Sequence, residues 1–106
     1  MYVSLTKTKG SPDQAATIAT IAGEEMLPWL RQMDGFDGLL MLTDEEAATT
    51  LVLAFWEDRA AAERHRTVRA EFRARVTAAV EVTVEETADY EVSFVHLGPL
   101  LARLQR

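Results

Sequence analysis

The chain has 106 residues, of which 48% are hydrophobic and 8% aromatic, and its net charge is −6. This length fits one domain with one core, and the acidic balance argues against a nucleic-acid partner because phosphate backbones are also negative. The chain has no cysteine, which excludes disulfides and thiolate chemistry. Neither a signal-peptide pattern nor an apolar run of roughly 20 residues is present, so a cytoplasmic protein with no membrane partner is expected.

The N-terminal residues predict a strand followed by a helix. Val3 and Leu5 alternate with polar neighbours, which is typical of a strand, and Gly10 ends it. Ser11 is a candidate helix cap, and Pro12 suits the first helical position.

The helix that follows is predicted from an apolar stripe at 3.6-residue spacing. Its members are Ala15, Ile18, Ala19, Ala22, Met26, Trp29, Leu30 and Met33. Pro28 removes one backbone hydrogen bond late in the stripe, so it should kink or divide the helix. Asp34 and Gly35 then end the helix.

Two strands and a second helix are predicted in the middle of the chain. Residues 36–42 and 49–56 are the strands, and the short polar link between them favours an antiparallel hairpin. Asp58 can cap the helix that follows. The apolar stripe of that helix is Ala61, His65, Val68, Phe72, Val76 and Ala79.

The last part of the chain is predicted to be extended. From Val80 to Phe94 nearly every apolar residue occupies an even position, which indicates one strand, or two strands separated near residues 86–87. Gly98 and Pro99 end this segment, and residues 100–106 form a short tail.

The order strand, helix, strand, strand, helix, strand predicts a single α+β domain over residues 1–106. It is the ferredoxin-like βαββαβ arrangement, with an antiparallel sheet and both helices on one face. Residues 39–42 and 51–56 are apolar without alternation, which is typical of strands buried on both faces. Two helices cover only one face, so we expect a homodimer in which a second copy covers the other.

Six arginines lie between residues 59 and 75, and they are interpreted as the solvated flank of the second helix rather than a basic binding patch.

Several short motifs resemble the antibiotic biosynthesis monooxygenase domains. The residues that carry the resemblance are Pro28-Trp29-Leu30, Met33-Asp34-Gly35-Phe36-Asp37-Gly38, Leu51 to Asp58, and Ala60 to Ala62. Family members typically read Pro-Gly-Phe-x-Gly, then a strand ending in Trp-Glu-Ser and an alanine-rich helix start. Asp34 stands in place of the usual proline and Asp58 in place of the usual serine, and both keep the turn or cap chemistry.

The resemblance, which spans about residues 2 to 96, implies a dimeric α+β barrel. It also implies a cofactor-independent monooxygenase, an oxidoreductase that acts on a small electron-rich aromatic compound of the polyketide or quinol type. A non-catalytic dimer that binds a small molecule, or serves as a scaffold, in the same cleft is the alternative. A heme-degrading oxygenase is a third interpretation. Heme-degrading members of the family carry an asparagine on the first strand and a histidine late on the second helix. This chain has no asparagine, and no later histidine follows His65 on the second helix.

Three residues are the main candidates for chemistry. Trp56 matches the tryptophan that ends the family's third strand, so it is either a core aromatic or a cavity wall on which a flat substrate stacks. His65 could move a proton near neutral pH, and Arg69, one turn later, could stabilise a phenolate or enolate. The competing interpretation is a hydrogen-bonded boundary histidine and an arginine that extends to water.

Trp29, Phe72 and Tyr90 are further candidates for substrate binding. No metal or cofactor is expected, because two histidines 31 positions apart make no ligand set and the chain has no glycine-rich phosphate loop.

Overall fold

The computed structural model describes residues 1–10 and 14–104, so the expected cap at Ser11 and helix start at Pro12 lie outside the described residues. The elements follow the predicted order. They are β1 Tyr2–Lys9, α1 Gln14–Ile21, a π-helical turn Ala22–Met26, α2 Leu27–Leu30, β2 Phe36–Asp44, β3 Thr49–Trp56, α3 Arg59–Arg64, α4 Arg66–Ala79, β4 Thr83–Glu91 and α5 Pro99–Ala102.

The four strands form one antiparallel sheet in the order β2-β3-β1-β4. β1 and β2 therefore run in the same direction with β3 between them, which is the split arrangement of ferredoxin-like folds. The predicted α+β ferredoxin-like fold is confirmed.

Residues 83–91 form one strand with a bulge rather than two separate strands. β4 pairs with β1, and the register shifts between Lys7 and Thr8. Glu85 is the extra residue on β4 at this point, and its carboxylate lies 3.8 Å from the Lys7 ammonium. The pairing of β4 with β1 continues on both sides of the bulge, so the strand is not divided.

Both helical segments are interrupted. The first becomes a π-helical turn just before Pro28, which confirms that the helix is divided near this proline. The second is broken at His65, whose φ of −106° and ψ of 12° separate α3 from α4, and the apolar stripe did not predict this break. Asp58 caps α3 as expected, because its Oδ1 accepts a hydrogen bond of 2.8 Å from the Ala61 N–H.

The core lies where α2 and α3 meet the sheet. Its buried members are Leu30, Ala54, Trp56, Ala61 and Ala62. The turn into β2 depends on Gly35, which has a φ of +88° and on which a Cβ would lie 2.5 Å from the Ala61 Cβ. Glycine is needed here both for the left-handed backbone and for the close approach of α3.

α4 turns only part of the predicted face to the sheet. Phe72 and Val76 of the expected stripe lie between the helix and the sheet. Val68, a member of the expected apolar stripe, is 46% exposed, whereas Arg69 and Arg73 point between the helix and the sheet. The expectation of a solvated arginine flank is therefore wrong for these two residues. It holds for the four that are exposed, Arg59, Arg64, Arg66 and Arg75.

None of the helices within the described ranges combines the length and apolar character that crossing a membrane requires.

Candidate functional site

A cavity of about 80 Å³, open to solvent, lies between the helices and the sheet. Its floor is formed by β1 and β3, and its walls by α1, α2 and α4. The lining residues are Ser4, Thr6, Thr8, Ile18, Met26, Trp29, Leu30, Leu39, Val52, Ala54, Arg69, Phe72, Arg73, Val76, Thr77, Val80 and Val82.

The cavity exists because the central strands carry small side chains on the side that faces the helices. Ser4 lies opposite Ala54, and Thr6 lies opposite Val52, in the pairing of β1 with β3. Leu5 and Leu53, which pair between these two rows, point to the other side of the sheet because side chains alternate along a strand. Short side chains under the helices leave a space that leucines would fill.

An aromatic pair forms one wall of the cavity. Trp29 of α2 stacks on Phe72 of α4, with ring centroids 4.1 Å apart and an interplanar angle of 13°. Met26, at the end of the π-helical turn, also lines the cavity. Two flat rings and a thioether offer an apolar surface suited to a flat, apolar molecule.

Arg69 places a positive charge at this apolar surface. Its guanidinium lies 5.1 Å from the centroid of the Trp56 ring, and one terminal nitrogen donates to the Ala62 carbonyl. Its Nε is buried and has no hydrogen-bond partner among the described residues. Burial lowers the pKa of Arg69, and the nearby carboxylate of Asp89 opposes this only in part. The site therefore holds a partly desolvated cation whose guanidinium has an N–H group without a hydrogen-bond acceptor among the described residues.

Trp56 lies behind Arg69, one layer away from the cavity. The side chain is fully buried at 0% exposure, and its indole N–H donates to the Ser4 hydroxyl at 3.2 Å. Phe36 packs edge-on against the ring with centroids 5.7 Å apart. This environment is that of a core aromatic which positions Arg69, so stacking on a ligand would require the surrounding side chains to move.

His65 also packs against the ring of Trp56. The two ring centroids are 5.7 Å apart at an interplanar angle of 28°, and His65 Nε2 lies 3.2 Å from the carbonyl oxygen of Asp34. A carbonyl oxygen can only accept, so Nε2 carries the hydrogen and Nδ1 is the basic nitrogen of the neutral ring. This assignment fixes which nitrogen could take a proton.

The structure brings some of the candidate residues together and separates one from the rest. Among the described residues, the cavity lining includes Trp29, Phe72 and Arg69 but neither Trp56 nor His65. Arg69 and His65 both contact the ring of Trp56. Tyr90 pairs with Val3, is 55% exposed and lies on the opposite face of the sheet.

Arg73 is a cavity residue that the sequence interpretation missed. It follows Arg69 by four positions, a spacing that puts both side chains on one helix face and could have revealed it. Burial lowers the pKa of Arg73 as well. Within the described ranges Arg73 forms no ion pair. Asp89, whose charge raises the pKa of Arg73, instead lies 3.3 Å from the Arg66 guanidinium.

Across residues 1–10 and 14–104, no three histidine or acidic residues come together as a set of metal ligands.

Comparison with known proteins agrees with this architecture. The structure superposes with a TM-score of 0.67 on a Deinococcus radiodurans protein assigned to the antibiotic biosynthesis monooxygenases, at 20% identity over 92% of this chain and 97% of that one. The ActVA-Orf6 monooxygenase of Streptomyces coelicolor, solved with nanaomycin D, gives 0.67 at 14% identity over 92% and 91%. The cofactor-independent oxygenase SnoaB of Streptomyces nogalater gives 0.61 at 15% identity over 89% and 94%.

These identities support the shared fold, and a search of curated protein sequences found no match. The family model for antibiotic biosynthesis monooxygenases matches residues 1–74, more than half of the chain. The chain therefore belongs to the antibiotic biosynthesis monooxygenase family.

Proposed function

We propose that this chain is a cofactor-independent monooxygenase-like protein whose substrate is a small electron-rich aromatic compound bound between helices and sheet. The observation that carries the proposal is Arg69, a half-buried cation that lines an apolar cavity and whose Nε has no hydrogen-bond partner among the described residues. A fixed cation in such surroundings stabilises negative charge that develops on a substrate oxygen. The aromatic wall of Trp29 and Phe72 favours a flat ring system. Membership of the family supports the reaction class.

The proposed reaction needs only the substrate, a base and O₂. An anthrone loses a proton from its activated CH₂ group, and the resulting anion is held with its charge on an oxygen beside Arg69. The anion passes one electron to O₂, and the two radicals combine to a peroxide. Loss of water then converts the CH₂ group into a carbonyl, so that one oxygen atom of O₂ enters the product and the other leaves as water.

His65 is the proposed base, acting through Nδ1. Because Nε2 is held by the Asp34 carbonyl, the ring can accept a proton only at Nδ1 without losing that bond. It would return the proton to the peroxide as water leaves. The contribution expected of such a base is about 10²–10⁴-fold.

The size of the cavity limits how a substrate is held. Its volume of about 80 Å³ is roughly half that of an engineered ~150 Å³ protein cavity that takes up benzene. A compound of several rings would therefore place one edge against Trp29 and Phe72 and extend through the open mouth.

The second candidate is a non-catalytic small-molecule-binding protein that uses the same cavity. The observation in its favour is the position of His65, whose ring contacts Trp56 and the Asp34 carbonyl and is not among the cavity-lining residues. Binding of a flat molecule needs Trp29, Phe72 and Arg69 but no base.

A homodimer through the open face of the sheet is part of the proposal. On that face Leu40 and Leu5 flank Leu53, while Phe55 pairs with Val3. The rows through Val3 and Leu5 carry no charge, and the charged residues of this face, Lys7, Lys9, Asp44 and Glu86, lie towards its other end. The exposed apolar residues of this face and of the segment after β4 include Leu40, Leu42, Tyr90, Phe94, Val95 and Leu97. A neutral apolar face of this kind suits a second copy of itself.

Oxygen consumption with a panel of anthrones and quinols tests the proposed chemistry. Wild type should consume O₂ with at least one compound, and His65→Ala should lower the turnover number by about 10²–10⁴-fold. His96→Ala is the matched control, since His96 is exposed and follows β4. Labelled ¹⁸O₂ should place one heavy atom in the product.

Equal rates for wild type and His65→Ala would remove His65 as the base. No O₂ uptake with any compound, together with saturable binding of the same compounds, would favour the binding protein instead.

A further inference from the structure

Arg73 is a cavity cation that the proposed oxygen chemistry does not use. It lines the cavity on the same side of α4 as Arg69, one helical turn further along. Burial lowers its pKa, and it pairs with no carboxylate in the described part of the chain. Asp89, the acid that most influences both arginines, is already bound to Arg66 at 3.3 Å.

Two like charges at this spacing repel each other, and the repulsion is felt more strongly where water is partly excluded. One cation is accounted for by the oxygen that carries charge during the proposed reaction. The second, Arg73, is half-buried and pairs with no carboxylate in the described part of the chain. A cation partly withdrawn from water in this way can pair with a negative group of a bound molecule.

The hydrogen-bond donors in the cavity indicate which anion would fit beside Arg73. A guanidinium is a planar fork that matches a carboxylate with two parallel hydrogen bonds. Thr6, on the cavity floor, adds a hydroxyl donor to the lining of the same cavity. Trp29 and Phe72 form the apolar wall beside these donors.

We propose that Arg73 anchors a carboxylate, and that the compound bound in the cavity is an aromatic carboxylic acid. The inference rests on the proposed use of the cavity as a site for an aromatic compound. It does not depend on whether oxygen chemistry follows.

Binding of 2-naphthoate and 2-naphthamide, measured by titration calorimetry, tests the proposal. The two probes have the same ring system and nearly the same shape, and neither is readily oxidised by O₂. Wild type should bind naphthoate about 10- to 100-fold more tightly than naphthamide, as expected for a charge-assisted pair. Arg73→Gln should reduce this ratio to near one and leave the affinity for naphthamide unchanged.

Arg75→Gln is the matched control, because Arg75 lies on the same helix and is exposed. It should keep the wild-type ratio, and Arg73→Lys should keep part of it. Equal affinities of the wild type for the two probes would contradict the proposal without any variant, and circular dichroism would reveal whether Arg73→Gln folds.

Equal affinities of wild type for the two probes, no binding of either, or a preference that survives in Arg73→Gln would each overturn the proposal. Failure of the oxygen chemistry looks different, because naphthoate would still bind selectively while no anthrone consumed O₂. Conversely, O₂ uptake with neutral anthrones and no preference for naphthoate would remove the carboxylate and retain the oxygenase.

Discussion

The two faces of the sheet use the same four strands for different purposes. On the helix side, small and polar residues such as Ser4, Thr6 and Ala54 leave room for a cavity into which Arg69 and Arg73 reach. On the open side, leucines and aromatics alternate with them and remain uncovered by the helices. A period-two pattern along the strands can therefore leave a cavity on one face of a sheet and an uncovered apolar surface on the other.

The largest effect is expected when the tryptophan behind the cavity is removed. Trp56→Ala should lower the free energy of unfolding by about 3–5 kcal/mol, the usual cost of deleting a large buried ring, because Trp56 is fully buried. Guanidinium chloride unfolding at one protein concentration measures it. Tyr90→Ala on the open face should cost less than half as much.

Similar losses for the two variants would show that the open face carries as much of the stability as the helix side. A small loss for Trp56→Ala alone would mean that its ring is not the centre of the core.

A smaller effect is expected when a charge is placed on the open face. Leu40→Asp should raise the dissociation constant of the homodimer by roughly 100-fold, since a buried unpaired carboxylate costs several kcal/mol. Size-exclusion chromatography with light scattering measures it. Thr43→Asp is the matched control, as Thr43 lies on the same strand but on the helix side.

A wild type that is monomeric at micromolar concentration, or a Leu40→Asp variant that dimerises normally, would contradict the proposed association surface.

The smallest effect is expected from heme. No saturable change in the Soret band is expected at low micromolar heme. The chain has no asparagine, and α4 carries no histidine after His65. The cavity, at about 80 Å³, is also small for heme. Apomyoglobin serves as a positive control for the titration. Stoichiometric binding would favour the heme-degrading alternative and would require the helices to move away from the sheet.

Much of the fold could be predicted because it depends on local rules. β3 was predicted at its observed bounds from a β-branched and aromatic run between a polar link and a capping aspartate. The division of the first helix followed from the missing N–H of Pro28. The family was also identified from local features, because the resemblance rests on short turn and cap motifs.

The candidate site was predicted less completely. Arg69, Trp29 and Phe72 were named and do line the cavity, but Arg73 was assigned to a solvated flank. The expected stripe assumed one continuous helix, and the break at His65 rotates α4, so that Arg69 and Arg73 join Phe72 and Val76 on the side of the sheet. Val68 is consequently exposed where the pattern placed it inside.

The sequence by itself determined the order of the elements, their antiparallel pairing and the family, because periodicity, caps and turns act over a few residues. Only the tertiary structure decided which side chains of α4 face the sheet. That choice depends on where the helix breaks and on the space left by Ser4, Thr6 and Ala54, which lie far from it in the chain. Arg69 and Arg73 face inward because of packing between segments that are far apart in the chain. Hydropathy alone would place both arginines in water.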